Sequence, residues 1–374
     1  MRPKTWIEVS KDALLQNINE LRKVVGKDIR FLAVIKGNAY GASIEAVVPI
    51  TCSKVDWYGV DSLDEAILTR TMCKNPILIL GFVSVNDAHE IVKLKLTVNV
   101  YDYDFAVALS EVATKENPAK IHIEIDSGLV RLGCFPKEAI ALIKKISKLP
   151  NIIIDGLFTH YAQLIDENNN EIYFEQLEKL NYVITSVNEL GIHPNTLHSA
   201  SSGAAVLYKK TRLNMVRLGI SLYGLWGRKH QLDSILKKVN LNLNPVIALK
   251  TTIVNLKMLP AHTSIGYGHS EKVSKDTVVA VLGAGYYDGI DKRYGKVGYV
   301  LINGKRAKIL GSIAMNMCMV DATDVGEVKI GDTAILIGKH GDEEISVYEF
   351  ANAINTSTYE IISRINPLLP RIVV

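Results

Sequence analysis

The stretch FLAVIKGNAYGAS, residues 31–43, places five apolar residues directly before a lysine and a glycine-rich turn. An apolar run of this length that ends at turn residues is typical of a buried strand. It predicts a strand whose last residue is Lys36. A lysine is unfavourable in a buried position unless it is paired, neutral or covalently bonded. The fold around Lys36 therefore decides what this side chain does.

Short apolar runs alternate with amphipathic stretches up to about residue 225. The runs predicted as strands are RFLAVI, DWYGV, NPILILG, LTVNVY, KIHIEID and IIIDGLFTH. Apolar residues at three- and four-residue steps predict helices in DALLQNINELRKVV, SLDEAILTRTM, DAHEIVKL, KEAIALIKKISK and YFEQLEKLNYVITSVNEL. Repeated strand–helix units indicate a parallel sheet, and this many of them favour a (β/α)8 barrel.

The pattern changes after about residue 240, where helices nearly disappear. The predicted strands there are VIALKTTIVNLKML, DTVVAVLGAGYY, VGYVLINGKRAKIL, MCMVDAT and DTAILIG, with one short helix at SVYEFANAI. We therefore predict an α/β chain of two domains. Residues 1–238 would form the (β/α)8 barrel, and residues 239–374 a C-terminal, mainly β domain.

The composition argues against several classes of protein. Hydrophobic residues make up 48% and charged residues 22%, as in ordinary globular proteins. The net charge of +4 is spread without runs, so neither nucleic acid nor a membrane surface is an expected partner. We expect no transmembrane helix and no signal peptide. The cysteines are expected as reduced thiols of a cytoplasmic protein, without a metal site: Cys52, Cys73, Cys134 and Cys318.

Lys36 is predicted at the carboxyl end of a barrel strand, and these ends form the active face of such barrels. A lysine there either extends into solvent or takes part in chemistry. Burial lowers the pKa of a lysine, which can then bond covalently to the aldehyde of pyridoxal 5'-phosphate (PLP). Position alone leaves both interpretations open.

The neighbouring residues favour the second interpretation. AVIKGNAYG resembles the lysine segment of alanine racemases, PLP enzymes of fold type III in which this lysine carries the cofactor. The resemblance continues in the family's order through IDSGLVRLG, GLFTHYA, LHSASSGAA, VRLGISLYG, SIGYG, GAGYYDG, SIAMNMCMVD and STYE. It implies a racemase that interconverts L- and D-alanine and, in a bacterium, supplies the cell wall.

The resemblance implies how the phosphate of PLP is held. Ser202 and the backbone amides of Gly219 and Ile220 lie where small residues let a main chain approach a phosphate. Tyr40 and Tyr359 match family tyrosines that add hydroxyl donors. Together these five residues form the expected phosphate site.

Arg217 matches the family arginine that faces the pyridine nitrogen. An arginine stays protonated and has no acceptor, so that nitrogen cannot hold a proton beside it. The cofactor then withdraws electrons less strongly, which favours prompt reprotonation of the substrate over transamination.

Racemisation needs two groups on opposite faces of the α-carbon, one to accept a proton and one to donate it. The resemblance implies Lys36 and Tyr267 as these groups. A tyrosine titrates near 10 and needs cationic neighbours to act as a base. His160 is expected to link Tyr267 toward Arg217 and to lie near the cofactor ring.

The substrate would be held by a second set of residues. Arg131 resembles the arginine that contacts the phenolic oxygen of PLP and the substrate carboxylate, and the backbone amide of Met315 would meet the same carboxylate. Tyr286 matches the residue that narrows the entrance. Asn316 stands beside the carboxylate site, where the family usually has aspartate.

The sequence departs from the family at other positions. Glu124 stands where many members have a carbamylated lysine, so its carboxylate is expected to orient Arg131 instead. Ser312 replaces a common arginine, and Leu218 a proline. Because Asn316 and Ser312 leave the entrance less charged, a serine racemase or one of broader specificity remains open.

Two further alternatives have less support. A fold-type III decarboxylase has an acidic residue at the pyridine nitrogen, where this chain has Arg217. A single-barrel PLP carrier has no β domain. The resemblance also implies a head-to-tail homodimer, in which Lys36 of one subunit meets Tyr267 and Met315 of the other around a small amino acid substrate.

Overall fold

The computed structural model describes residues 3–162 and 171–374. Its strands are β1 Thr5–Val9, β2 Arg30–Val34, β3 Trp57–Val60, β4 Ile77–Ile79, β5 Thr97–Val100, β6 Ala119–Glu124, β7 Ile152–Phe158, β8 Thr196–Ser201, β9 Met215–Leu218, β10 Ile247–Leu259, β11 Ser264–Ile265, β12 Glu271–Lys272, β13 Thr277–Leu282, β14 Tyr299–Ile302, β15 Lys305–Leu310, β16 Cys318–Asp321, β17 Thr333–His340, β18 Glu343–Ile345 and β19 Arg371–Val373. Its helices and helical turns are α1 Lys11–Val25, α2 Lys36–Tyr40, α3 Ile44–Thr51, α4 Leu63–Met72, α5 Ala88–Lys93, α6 Tyr103–Val112, α7 Pro136–Ile146, α8 Glu171–Glu189, α9 Ser202–Leu207, α10 Lys229–Lys238, α11 Val347–Ala353 and α12 Thr358–Ser363.

Strands β2 to β9 form a closed barrel of parallel strands, which confirms the predicted (β/α)8 architecture. The barrel closes where β2 pairs with β9, with Leu32 opposite Arg217. Apolar side chains of β2 alternate between two environments: Leu32 and Val34 pack with Trp57, whereas Phe31 belongs to the larger core. Strands covered on both faces need such continuous apolar runs, which is why the runs were visible in the sequence.

The six predicted barrel strands form β2 to β7. Strands β8 and β9 complete the barrel without such an apolar run, because β8, with sequence TLHSAS, carries polar side chains. Helices α2, α3, α6, α9, α10 and α12 were likewise not predicted from the sequence. Strand β8 was missed because it is rich in polar residues, and α12 because it is short, whereas α6 has ten residues, as many as the predicted α4.

The remaining strands, apart from the separate pair β11 and β12, form a nine-stranded sheet in the order β18-β17-β14-β15-β16-β13-β10-β1-β19. Its first strand in the sequence, β1, pairs antiparallel with β10, with Thr5 opposite Thr251, and parallel with β19. The segment assigned to the barrel, residues 1–238, thus includes a strand of the other sheet. The mainly β character of the second half is confirmed, whereas the boundary at residue 238 stays a prediction.

One cysteine pair differs from the expectation of reduced thiols. Cys52 and Cys73 are joined by a disulfide, with their Cα atoms 5.9 Å apart. They follow the last residues of α3 and α4, and the packing of these two helices brings them together. Sequence spacing carries no sign of such a contact. Cys134 and Cys318 are free. None of the helices in the described ranges is both long and apolar enough to cross a bilayer.

Candidate active site

A cavity of about 960 Å³ opens at the carboxyl ends of the barrel strands. All of the residues predicted to bind the cofactor line it: Lys36, Tyr40, Arg131, His160, Ser202, Arg217, Gly219, Ile220 and Tyr359. They come from both halves of the chain, since Tyr359 belongs to α12. The barrel thus collects these separate segments at one site, as the position of active sites in such barrels predicts.

Lys36 lies just beyond β2, which ends at Val34, rather than on its last residue. The side chain is half-exposed to the cavity, and its Nζ donates to Asp61 Oδ1 at 2.8 Å. Asp61 follows β3 in the same way that Lys36 follows β2. This carboxylate was not predicted as a site residue, although its place after a strand end could have identified it.

The residues after Lys36 form a left-handed turn. Asn38, Ala39 and Tyr40 have φ angles of 52°, 55° and 53°. Side chains with a Cβ rarely adopt this conformation, because each such residue costs about 1–2 kcal/mol. Hydrogen bonds hold the turn: Asn38 N donates to Glu65 Oε1 at 3.0 Å, and Ile44 N donates to Asn38 Oδ1 at 3.0 Å. The turn fixes Lys36 and Tyr40 at opposite ends of one short segment.

The region around Ser202 has the donors that a phosphate requires. Ser202 Oγ lies 3.2 Å from Gly219 N and 2.8 Å from Ser221 Oγ. A Cβ at Gly219 would lie 2.4 Å from Tyr40 Oη, so the main chain approaches this hydroxyl as only glycine permits. Burial raises the pKa of Tyr40, and raises that of Tyr359 to about 12. Both hydroxyls therefore stay protonated donors.

Helix α9 begins at the same place. Its N-cap, Ser201, makes no side-chain hydrogen bond to the first turn, which leaves the first amides of the helix to other acceptors. The small residues Gly203 and Ala204 line the cavity beside them. Amides, hydroxyls and the absence of bulky side chains here fit the phosphate of PLP.

Arg217 is 3% exposed and lies at the centre of a hydrogen-bonded group. Its Nη1 is 2.6 Å from His198 Nδ1. Its Nη2 donates to Thr159 O at 2.8 Å and to Ser199 O at 3.0 Å. Burial lowers the pKa of Arg217 to about 10, so the guanidinium keeps its charge near neutral pH. Within residues 3–162 and 171–374 its Nε–H has no acceptor, so this donor is available to a ring nitrogen in the cavity.

His160 is neutral in this setting. Burial and the nearby charge of Arg217 lower the pKa of its imidazole to about 3. Its Nδ1 lies 3.3 Å from Arg217 Nη2, so this nitrogen accepts and Nε2 carries the proton. His160 therefore contacts Arg217, and the predicted link to Tyr267 and position near the cofactor ring stay predictions.

Glu124 and Arg131 line the same cavity, but Glu124 has a different partner. Its Oε2 accepts from Asn99 Nδ2 at 2.8 Å, and burial raises the pKa of its carboxyl. No ion pair within 4 Å joins Glu124 to Arg131, both of which the structure describes. Arg131 lies on an exposed loop that Asp126 holds through the amides of Gly128 and Val130.

Four predicted residues lie outside the described lining of this cavity: Tyr267, Met315, Asn316 and Tyr286. Tyr267 is 77% exposed and begins a 3-10 turn, Tyr267–His269. Met315 is 54% exposed. Tyr286 lines a second cavity of about 380 Å³, beside Asp291 and Arg364. One chain therefore presents these groups to its surroundings instead of to its own Lys36.

Two family models match the chain. Residues 9–226 match the model described as alanine racemase, N-terminal domain, and residues 246–373 match alanine racemase, C-terminal domain. The chain belongs to the alanine racemase family. The alanine racemase of Clostridium tetani is 36% identical over 100% of this chain and 95% of that protein. The enzyme of Halothermothrix orenii is 34% identical over 98% and 96%.

Solved structures of the family have the same fold. An alanine racemase from Clostridium difficile 630 superimposes with a TM-score of 0.93 at 30% identity, covering 100% of this chain and 96% of that chain. An alanine racemase from Bacillus anthracis with bound L-Ala-P gives 0.92 at 29% identity, covering 100% and 96%. A histidine racemase from Leuconostoc mesenteroides shares the fold at 24% identity and a TM-score of 0.88, covering 100% and 98%. The predicted family and fold class are confirmed.

Proposed function

We propose that this member of the alanine racemase family is a PLP-dependent enzyme that interconverts L- and D-alanine. The proposal rests on one observation: all of the residues predicted to contact the cofactor line the same cavity. When bound, PLP withdraws electrons from the substrate's α-carbon and so makes its hydrogen acidic. The protein's own residues hold the cofactor and move the proton.

The residues at the Ser202 end would bind the phosphate. The amides of Gly219 and Ile220, the Ser202 hydroxyl and the protonated hydroxyls of Tyr40 and Tyr359 supply donors to its oxygens. Five groups on rigid elements fix the position of the ring relative to Lys36. Such preorganised positioning is a large part of catalysis by any cofactor enzyme.

Arg217 would face the pyridine nitrogen. It is charged, buried and has its Nε–H available, and it has no acceptor for a proton on that nitrogen. The nitrogen is thereby kept unprotonated, and the α-carbon regains its proton promptly. This arrangement supports a racemase over a fold-type III decarboxylase.

Lys36 would hold the cofactor at rest and, once displaced by substrate, exchange a proton with one face of the α-carbon. Asp61 Oδ1, which accepts from Lys36 Nζ at 2.8 Å, holds this side chain in place. Tyr267 would serve the opposite face, supported by His160 and Arg217. A proton accepted on one face and donated on the other inverts the carbon.

Because Tyr267 lies outside the cavity of its own chain, we assign it to the site of a second copy. A head-to-tail homodimer then completes two equivalent sites, and Met315 and Tyr286 approach the substrate from the same partner. A PLP carrier would have no use for such a tyrosine. The cytoplasmic location predicted from the sequence is retained as a proposal, to be tested by fractionation of cells.

Alanine is proposed as the main substrate, with Arg131 and the Met315 amide on its carboxylate. Asn316 and Ser312 leave serine or a broader set of side chains as the second candidate. A racemisation panel over the common amino acids, with purified protein, distinguishes these substrates.

The covalent assignment has a direct test. Borohydride reduction of the holoenzyme should fix the cofactor on Lys36, and peptide mass mapping should place it on residues 31–43. Label on any other lysine would contradict the proposed function.

A further inference from the structure

A row of three polar side chains that do not line the cavity leads away from Arg217: His198, His122 and Asp155. Arg217 Nη1 lies 2.6 Å from His198 Nδ1, and His198 Nε2 lies 2.9 Å from His122 Nδ1. His122 Nε2 faces Asp155 Oδ2 at 3.5 Å. The row joins four strands of the barrel, β9, β8, β6 and β7.

The two imidazoles of this row are buried and packed against aromatic side chains of the barrel. His122 and His198 are both 0% exposed. Phe158 stacks on His198 with ring centroids 4.6 Å apart, and Trp57 lies 5.5 Å from the ring of His122. A Cβ at Gly156 would lie 2.6 Å from His122 Nε2, so the space that the ring occupies requires glycine at this position of β7.

Arg217 at one end of the row and Asp155 at the other favour the same position for each proton in it. A guanidinium only donates, so His198 Nδ1 must be the acceptor and must lack a proton. A neutral His198 then carries its proton on Nε2 and donates to His122 Nδ1. His122, in turn, carries its proton on Nε2, which faces Asp155. One tautomer of each ring satisfies the row.

The surroundings favour these neutral rings. Burial and the charge of Arg217 lower the pKa of His198 well below its ordinary value, and burial lowers that of His122. The His122 ring facing the carboxylate lowers the pKa of Asp155, whose side chain is 12% exposed. Within the described part of the chain, His122 Nε2 makes no hydrogen bond, and the Asp155 carboxylate, 3.5 Å away, is the anion that faces it.

We propose that Asp155 is a positioning residue for Arg217, acting through the fixed tautomers of His122 and His198. The Asp155 carboxylate attracts the proton on His122 Nε2. The two imidazoles transmit this polarisation to His198 Nδ1, the acceptor that orients the Arg217 guanidinium. The inference rests on the proposed function, because it concerns the residue that would face the pyridine nitrogen.

Loss of the Asp155 acceptor removes the reason for His122 to keep its proton on Nε2. If that proton moves to Nδ1, it meets the proton on His198 Nε2, and His198 must turn its own N–H toward Arg217. Two donors then face each other, and the guanidinium shifts. A shifted Arg217 leaves the pyridine nitrogen open to protonation, which favours transamination of the substrate.

The first test uses the wild-type protein without cofactor. Nitrogen NMR of ¹⁵N-histidine-labelled protein, assigned by the signals lost in His122→Gln and in His198→Gln, reports the protonation of each ring nitrogen. Both residues should be neutral, with protons on Nε2. A proton on His198 Nδ1, or a cationic ring, would overturn the inference, whether or not the protein is a racemase.

The second test compares two variants of Asp155. Asp155→Asn keeps an acceptor oxygen and should retain the wild-type tautomers. Asp155→Ala removes the acceptor and should change the His198 signal. In the holoenzyme, Asp155→Ala should raise the fraction of turnovers that end in transamination by about tenfold, the scale of one lost contact between a buried ring N–H and a carboxylate.

Glu8→Gln is the matched control. Glu8 is a partly buried carboxylate paired with Lys250 in the other sheet, so its loss tests general destabilisation. It should leave the transamination fraction unchanged. Unchanged tautomers and an unchanged fraction in folded Asp155→Ala would overturn the inference, and NMR of the wild type decides if that variant does not fold. Wild-type protein without racemase activity on any amino acid would refute the proposed function alone.

Discussion

Gly219→Ala tests whether PLP binding requires the close approach of the Gly219 main chain to the Tyr40 hydroxyl in the proposed phosphate site. Gly219 has a φ of −105°, so it does not occupy the left-handed region that favours glycine. Its Cβ, however, would lie 2.4 Å from Tyr40 Oη. Ordinary contact distances are about 3.5 Å, so one of the two groups must move by about 1 Å.

Tyr40 has little room to give way. Its ring packs against Tyr223, with centroids 4.9 Å apart, and lies 6.2 Å from that of Tyr359. The displaced hydroxyl would lose its hydrogen bond to the phosphate, which is worth about 1.5–3 kcal/mol for a charged acceptor. Each 1.4 kcal/mol is about tenfold in affinity, so PLP should bind about 10- to 100-fold more weakly.

The assay is a PLP titration of cofactor-free protein, followed by tyrosine fluorescence or by cofactor absorbance. Tyr40→Phe is the second variant to combine with Gly219→Ala, because it removes the hydroxyl that clashes. The atom of residue 40 nearest to the new Cβ is then Cζ, at 3.0 Å. In the Tyr40→Phe background, Gly219→Ala should cost much less affinity than in the wild type. Equal PLP affinities of Gly219→Ala and wild type would refute the reasoning.

Three further predictions concern the second subunit and the departures from the family. Lys36→Ala and Tyr267→Phe dimers should each be nearly inactive, but co-refolded mixtures should recover about a quarter of wild-type activity, since about half the dimers have one complete site of two; no recovery despite subunit exchange would contradict shared sites. Glu124→Gln should lower kcat/KM severalfold, because the carboxylate attracts Arg131 across the cavity without a direct ion pair and an amide does not, and neither protein should depend on bicarbonate; wild-type kinetics would contradict this. Asn316→Asp should change the serine-to-alanine ratio of kcat/KM, and an unchanged ratio would exclude Asn316 as a determinant of selectivity.

The sequence predicted the elements that obey a local pattern. Apolar runs identified six barrel strands, because a strand covered on both faces must be apolar along its length. Strand β8 was not predicted, because its residues His198 and Ser199 contact the buried Arg217 instead of forming an apolar run. Strand β1 was missed because its partners, β10 and β19, are more than two hundred residues away.

The site was predictable where residues follow strand ends and match family segments. Lys36, Arg217 and Ser202 were placed in one cavity as expected. The contact of Lys36 with Asp61, and that of His122 with His198, depend on which strands are neighbours in the closed barrel, and no local pattern records this. The disulfide is of the same kind, since it depends on how two helices pack.

The pairing of β1 has a consequence for synthesis on the ribosome. Thr5 and its neighbours are made first, but their antiparallel partner begins only at Ile247. At about 5–20 residues per second, β1 waits roughly 12–50 s for β10, and longer for β19. Meanwhile the whole barrel can emerge and fold. During that interval the nascent chain carries an unpaired apolar strand, TWIEV, which is the segment where a chaperone would be most useful.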